Sequence, residues 1–473
     1  MVTQYSIVRA PLSKPNNQLK PLTMQLFFVQ RSIILVTVLA LVYCGPSSLH
    51  ADNGQGVSQE AAKLNQRGID HLHKKEYEQA IANFREALQI QPEFVDALDN
   101  LGKALEAEGK DAEAIVALDK AIKIAPEKAA AYADKGTVLF HEGKYEEAVI
   151  AYRQALEHHK DFSEAQNGLG SALLHLGKNE EAISCFRAAV ASNPKNADAL
   201  GNLGLALLTE NKGQEALPFL RKAHSLRPDS PDLLEDYALA LDQTGQTHES
   251  IAALHQLTTK HPEQPAPWER LGHVYYKSKR YDQAVSAFEK SLSLKPDQPD
   301  VLLALGQTQA DQGKLGDAIK SYEKCLALKP DEFYATYNLG NAYYAEKDYA
   351  QAASNYEKAY AQKPDFTESL VGLAASQLAA NRTADAIATY RKLVPLKPDD
   401  ANVRFNFGTA LFNEGQFLEA ADSYREAVRL NPASAHAHYN LAMALLRLND
   451  TKSAQAEFAE AHHLDPSLNP PTK

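Results

Sequence analysis

The side chains best equipped for chemistry in this chain are its paired histidines, one glycine pair and a few cysteines. His71 and His73 stand two residues apart, as do His436 and His438. On a helix, residues two apart point to different faces, so neither pair offers two nitrogens to one metal ion. His158-His159 and His462-His463 are adjacent and fit a metal less well still. Gly168-Leu169-Gly170 falls short of the glycine-rich turn that cradles a dinucleotide. No Gly-x-Ser-x-Gly, Cys-x-x-Cys, His-Glu-x-x-His or phosphate-binding loop occurs. The sequence therefore predicts no catalytic residue, no metal and no cofactor. What recurs is binding chemistry. Asn100, Asn202, Asn338, Asn406 and Asn440 can each donate to and accept from a peptide backbone. Rings cluster late in the chain, where they give large contact area for little lost entropy.

The elements that must position these residues follow from a period of 34 residues, unbroken from Ala61 to Leu468, which makes twelve repeats. The eighth place is Gly68, Gly102, Gly136, Gly170, Gly204, Gly272, Gly306, Gly340 and Gly408, with Ala238, Ala374 and Ala442 in the remaining repeats. The twentieth is alanine in every repeat but the sixth, where Ser250 stands. These small residues let two helices approach closely, and a large apolar residue at the twenty-fourth place, such as Phe84, Phe186 or Tyr356, fills the space beside them. The fifteenth place is glycine, asparagine or lysine, a set suited to a left-handed residue after a helix end. The thirty-second is proline in all repeats but the third, which has Lys160; proline stops the second helix. Each repeat reads as helix, tight turn, helix, stop. The expected fold is all-α, a solenoid of twelve such repeats over residues 61–468, followed by a short tail, 469–473.

Stretches such as Tyr337 to Asp365, "YNLGNAYYAEKDYAQAASNYEKAYAQKPD", closely follow the tetratricopeptide repeat motif, which the chain resembles over nearly all its length beyond the N-terminal segment. The resemblance implies a right-handed superhelix whose first helices line a concave groove, and a role in gripping a protein or peptide. In that geometry, places 2, 5, 6, 9, 12 and 13 of each first helix face inward. Asp96, Asp99, Asp232, Glu235, Asp236 and Asp242 then give an acidic early and middle groove, suited to a basic segment of a partner. Tyr334, Tyr337, Asn338, Asn341 and Tyr344, with Asn402, Phe405, Asn406, Phe412, Tyr439, Asn440 and Arg447, give an aromatic, amide-rich late groove. The bland alternative is that some of these rings, Tyr344 and Phe412 above all, pack between helices. The asparagines at the sixth place are similar to the ladder in the repeat superhelix of O-linked N-acetylglucosamine transferases, although Gly168, Gly372 and others interrupt it. The basic residues of a carboxylate clamp are missing.

Charge sets further bounds. The net charge is −11, and residues 1–51 hold four of the 49 basic side chains and none of the 60 acidic ones, so the repeats are more acidic still. Such a surface is a poor match for nucleic acid. The N-terminal 51 residues read as a cleaved export signal or an uncleaved membrane anchor. Their apolar run, Ile33 to Tyr43, follows Arg31 and is shorter than the roughly 20 residues a span needs, though residues 26–43 lengthen it. Leu49-His50-Ala51 offers a cleavage site before Asp52, and Met24 is an alternative start. A lipid attachment at Cys44 meets an unsuitably large Tyr43. Residues 52–60 read as a linker. An exported (periplasmic or extracellular) protein-binding scaffold is thus expected, with a membrane-anchored form or a structural, self-assembling envelope role as alternatives.

Three smaller expectations complete the reading. Lys63, Arg67 and Asp70 in the first repeat, and Gln455 and His462 in the last, replace residues that are apolar elsewhere and predict solvated ends. Trp268 is expected in the core, and Cys325 as a small buried residue. Pro262, Pro265 and Pro267 mark Thr258 to Gly272 as a loosely packed junction or simply a degenerate repeat.

Overall fold

The computed structural model describes residues 57–471; residues 1–51, expected to be a signal or anchor segment, and most of the expected linker 52–60 lie outside them. Among the described residues there are 24 α-helices and no strand. After the first repeat, whose opening helix starts early at Gln59, first helices occupy places 1–13, as in Val95–Ala107 and Phe333–Ala345. Second helices occupy places 17–30, as in Asp111–Ile124 and Tyr349–Gln362. One is shorter: the second helix of the tenth repeat, Thr383–Leu393, ends where Pro395 can supply no N–H. No helix is long and apolar enough to cross a membrane among the described residues.

The turn is the same in every repeat because its hydrogen bonds demand one left-handed residue. The backbone N–H of Gly109 donates to Glu106 O (2.8 Å) and that of Lys110 to Leu105 O (2.8 Å), so two orphan carbonyls at the helix end are satisfied. All twelve fifteenth-place residues have positive φ, including Lys75, Lys279 and Lys347 at 61°, 59° and 66°.

The described chain divides into two compact units between Thr259 and Lys260, the first carrying repeats one to six and the second repeats seven to twelve. Each unit is built in the same way. Every second helix packs on its own first helix and, within a unit, on the first helix of the next repeat; within a unit the first helices of consecutive repeats also touch. Every twentieth-place residue is fully buried, and Ser250, the exception in type, donates from Oγ to Ala238 O at 2.8 Å. Opposite each eighth-place glycine lies the twenty-fourth-place side chain. A Cβ on Gly306 would fall 2.7 Å from Tyr322 Cε1, closer than real contacts allow. Two rings are held from both sides: Tyr152 by Gly136 and by Gly168 of the next repeat, and Tyr356 by Gly340 and by Gly372 of the next.

Cys325 is fully buried, and burial pushes its thiol up to about 12. Lys63, Arg67 and Asp70 are exposed, as are Gln455 and His462. Trp268 departs from expectation. It is only half-buried, and its indole N–H donates to Pro262 O at 3.2 Å, so the ring braces the proline-rich turn rather than filling the core.

Candidate functional site

In the first unit, the acidic residues of the second repeat are already matched. Lys128 Nζ lies 2.5 Å from Asp96 Oδ1 and 3.8 Å from Asp99 Oδ2. Lys103 Nζ lies 3.5 Å from Asp99 and 3.1 Å from Asp134. Burial alone would raise Asp99, but Lys103 and Lys128 outweigh it and hold the carboxyl below its usual value. Asp134, at the sixth place of the third repeat, goes the other way. Burial lifts it well above the ordinary range, Lys103 opposes, and the neighbouring Asp99 adds to the rise. Farther along, Glu235 and Asp236 are buried, whereas Asp232 and Asp242 are half-buried. The expected acidic groove is therefore corrected at its start: opposite charges one helical turn or one repeat away neutralise Asp96 and Asp99.

The asparagine ladder also has internal work. Asn100 Nδ2 donates to Asn65 Oδ1 (3.1 Å), Asn202 to Asn167 Oδ1 (3.0 Å) and Asn338 to Gln307 Oε1 (3.0 Å). In each case the acceptor is on the first helix of the preceding repeat. These amides tie neighbouring repeats together, a partner that periodicity places but does not select. Asn440 is buried.

In the second unit the expected residues separate into three groups. Phe405 and Phe412 are buried: Phe405 packs on Tyr424 (centroids 5.7 Å apart), and Phe412 on Phe417 (5.2 Å), over which the Arg447 guanidinium lies at 4.5 Å. Tyr439 packs on Phe458 at 5.3 Å. Phe405 and Phe412 are thereby corrected from contact surface to packing, because the neighbouring helix covers their faces. A second group forms an aromatic ledge. Tyr334 is 40% exposed and stands edge-on to Phe333, which meets Phe366 at 5.1 Å, with Lys363 Nζ 5.5 Å over the Phe333 ring. Tyr337 touches Phe366 at 5.1 Å and thereby joins the ledge to the third group.

That third group surrounds a cavity of about 160 Å³, to which Tyr337, Asn341 and Tyr344 of the ninth repeat and Asn402 and Asn406 of the eleventh all contribute. The tenth repeat, between them, supplies Glu368, Val371 and Gly372, and the twenty-fourth-place rings Tyr356 and Tyr390 close the inner end. Tyr356 Oη donates to Asn341 Oδ1 at 2.6 Å. Burial raises both tyrosines above the ordinary phenol value, so both keep their protons. Lys397 donates to Glu368 Oε1 at 3.1 Å, and Asp400 Oδ1 accepts from the backbone N–H of Asn402 (2.9 Å) and Val403 (3.1 Å). Glu368, Lys397, Asp400 and Tyr390 were not among the sequence candidates. The signal was present as Gly372: where the ladder expects asparagine there is no side chain, and the Tyr356 ring fills that place at the cavity wall.

Antiparallel helix pairs stacked at a fixed 34-residue period define a helical-repeat solenoid of the protein-interaction class. The chain belongs to the tetratricopeptide repeat family. Matches to family descriptions of the tetratricopeptide repeat cover residues 71–109, 95–128, 117–162, 133–184, 167–231, 207–271, 343–404 and 405–469. The description "Cytochrome c-type biogenesis protein H TPR domain" matches residues 251–365. Among solved structures, the anaphase-promoting-complex hetero-tetramer Cut9–Hcn1 is 15% identical, with 87% of this chain and 94% of that one covered and a TM-score of 0.36. A tetratricopeptide repeat protein from Parabacteroides merdae is 19% identical (52% and 98% covered, TM-score 0.40). Yeast Tom70 is 18% identical (85% and 92%, TM-score 0.33). Likenesses this distant carry no inference about partner or activity. No curated protein matches the chain.

Proposed function

We propose that this protein is an exported scaffold that holds a partner protein or peptide against the first helices of repeats nine to eleven, with no chemistry of its own. The observation that carries this reading is the meeting of Tyr337, Asn341, Tyr344, Asn402 and Asn406, from two repeats, around one cavity, which Tyr337 joins through Phe366 and Phe333 to the exposed Tyr334. Rings supply contact area, amides supply directional hydrogen bonds, and the helices beneath are rigid. The basic, acid-free N-terminal segment with its apolar run supports export. The match of residues 251–365 to the cytochrome c-type biogenesis description favours assembly of c-type cytochromes as the process served.

A photo-reactive side chain placed at Tyr334, compared with one at Leu418, tests the binding surface. Leu418 is 66% exposed but stands at the start of a second helix. Capture of a distinct partner from the envelope fraction at Tyr334 and not at Leu418 is expected. Equal capture at both positions, or only an adduct of twice the chain mass, would remove the assignment. N-terminal sequencing of the native protein should begin at Asp52; an intact hydrophobic segment in the membrane fraction would replace export with anchoring.

A further inference from the structure

Five repeats carry tyrosine at the twenty-fourth place, Tyr152, Tyr322, Tyr356, Tyr390 and Tyr424, and three of these rings bond to the ninth place of their own repeat. Tyr152 Oη is 3.0 Å from Thr137 Oγ1, Tyr356 Oη donates to Asn341 at 2.6 Å, and Tyr424 Oη donates to Thr409 Oγ1 at 3.1 Å. Thr137, Asn341 and Thr409 all stand at the ninth place of their own repeat. In the tenth repeat the ninth place is Ala375, which cannot bond to anything through its side chain. Tyr390 is 1% exposed, and its hydroxyl lies near the Asn406 side chain without making a well-formed hydrogen bond. A buried hydroxyl left in this state costs stability, and it faces the cavity.

From this geometry we infer that the cavity seats a carboxamide side chain, a glutamine or asparagine, carried by the partner segment; the inference rests on the scaffold reading above. The chemistry of the lining selects that group. Tyr390 Oη–H is a donor in search of an acceptor. Asn341 adds a second donor, since its Oδ1 is engaged by Tyr356 and its Nδ2 remains to the wall. A carbonyl oxygen is what two donors require. The occupant is neutral because the charges present are satisfied among themselves: Glu368 is held by Lys397, and Asp400 by two backbone N–H groups. A carboxylate would meet a lining with two acids and one lysine, and an ammonium group, which has no acceptor, would leave the Tyr390 and Asn341 donors unanswered. The methylenes of glutamine lie against Tyr337, Tyr344 and Val371. The buried Tyr356 and Tyr390 close the inner end, so a side chain enters and stops, whereas a main chain would have to leave again.

Saturation-transfer NMR on the full chain with the blocked peptides acetyl-Ala-Xaa-Ala-amide, where Xaa is Gln, Met, Glu or Lys, tests this. Gln and Met have nearly the same shape, so their difference reads the carbonyl alone. Transfer to the side-chain methylenes of the Gln peptide, well above that of the other three, is expected. Tyr390→Phe should weaken it about threefold to tenfold by deleting the donor. Ala375→Thr should weaken it comparably by giving Tyr390 the kind of partner that Tyr152 and Tyr424 have. Melting curves establish that both variants fold. Equal transfer from Met and Gln, no transfer from Gln, or undiminished transfer in both folded variants would overturn the inference. The Tyr334 cross-link tells apart the two readings: a partner still captured by Tyr390→Phe leaves the scaffold standing whatever the peptides show.

Discussion

Gly372→Ala should destabilise the ninth and tenth repeats, although glycine to alanine inside a helix ordinarily stabilises by about 1 kcal/mol. The reversal comes from one ring. A Cβ at residue 372, within the helix Thr367–Ala379, would stand 2.5 Å from both Cε1 and Cζ of Tyr356. Relaxed carbon contacts lie at about 3.5–4.0 Å. Tyr356 is 3% exposed and is held on its other side by Gly340, so it cannot retreat without disturbing the stack. Overpacking of this kind costs about 1–3 kcal/mol, and losing the Tyr356–Asn341 hydrogen bond adds about 1 kcal/mol. Set against the helical gain, the net effect is roughly 1–3 kcal/mol of destabilisation. Gly316→Ala is the control, because nothing lies within 4 Å of the added atom there. A twelve-repeat array need not unfold in one step, so the measurement is hydrogen exchange over residues 333–413. Amides there should exchange roughly tenfold to a hundredfold faster in Gly372→Ala and no faster in Gly316→Ala. Adding Tyr356→Leu should recover much of the loss. Unchanged or greater protection in the single variant would refute the reasoning.

Two further outcomes follow from charged groups. Asp134 has a folded-state pKa raised above its ordinary 3.8, so the folded protein holds that proton more tightly than the unfolded chain does. Stability therefore falls as pH rises from about 3.8 through the raised value, by up to about 1.4 kcal/mol per pH unit. Asp134→Asn should abolish that fall and raise the midpoint of urea denaturation at pH 7 while leaving it nearly unchanged at pH 4; a parallel drop at both pH values would show that Lys103 gains more from Asp134 than burial costs. On the second helices, Arg85–Glu113, Arg153–Glu181, Arg187–Glu215 and Arg391–Glu419 each link neighbouring repeats 28 residues apart. A double-mutant cycle on Arg187→Ala and Glu215→Ala should give about 0.2–1 kcal/mol of coupling at low salt and almost none at 1 M NaCl, and coupling that survives high salt would point to packing instead.

The period made the helices, the turn and its left-handed residue legible, even where lysine occupies the position, because those features depend on place alone. It said less about side chains with two possible neighbours. Asn100 could have faced the groove or bent back to Asn65, and a one-dimensional pattern does not rank the two. Phe405 and Phe412 sit at inward places but are covered, since each ring packs against the second helix of its own repeat. The charge pairs around Asp99 needed the distances between repeats, which no spacing along the chain supplies. Ala375 was readable in principle: only a comparison of the ninth with the twenty-fourth place, repeat by repeat, shows that Tyr390 lacks the companion that Tyr152, Tyr356 and Tyr424 have.

The rings of Tyr152 and Tyr356, each lodged between a glycine of its own repeat and one of the next, also bear on how such a chain can change. Excising or duplicating 34 residues by recombination keeps every helix in register and looks harmless on the page. A cut that joins the ninth repeat to any neighbour but the tenth or the fourth, whose sixth place is Gly168, would bring asparagine or another side chain down on Tyr356 where Gly372 now makes room. Modules of equal length are thus not interchangeable parts, and the third and ninth repeats each require of their successor a glycine at its sixth place.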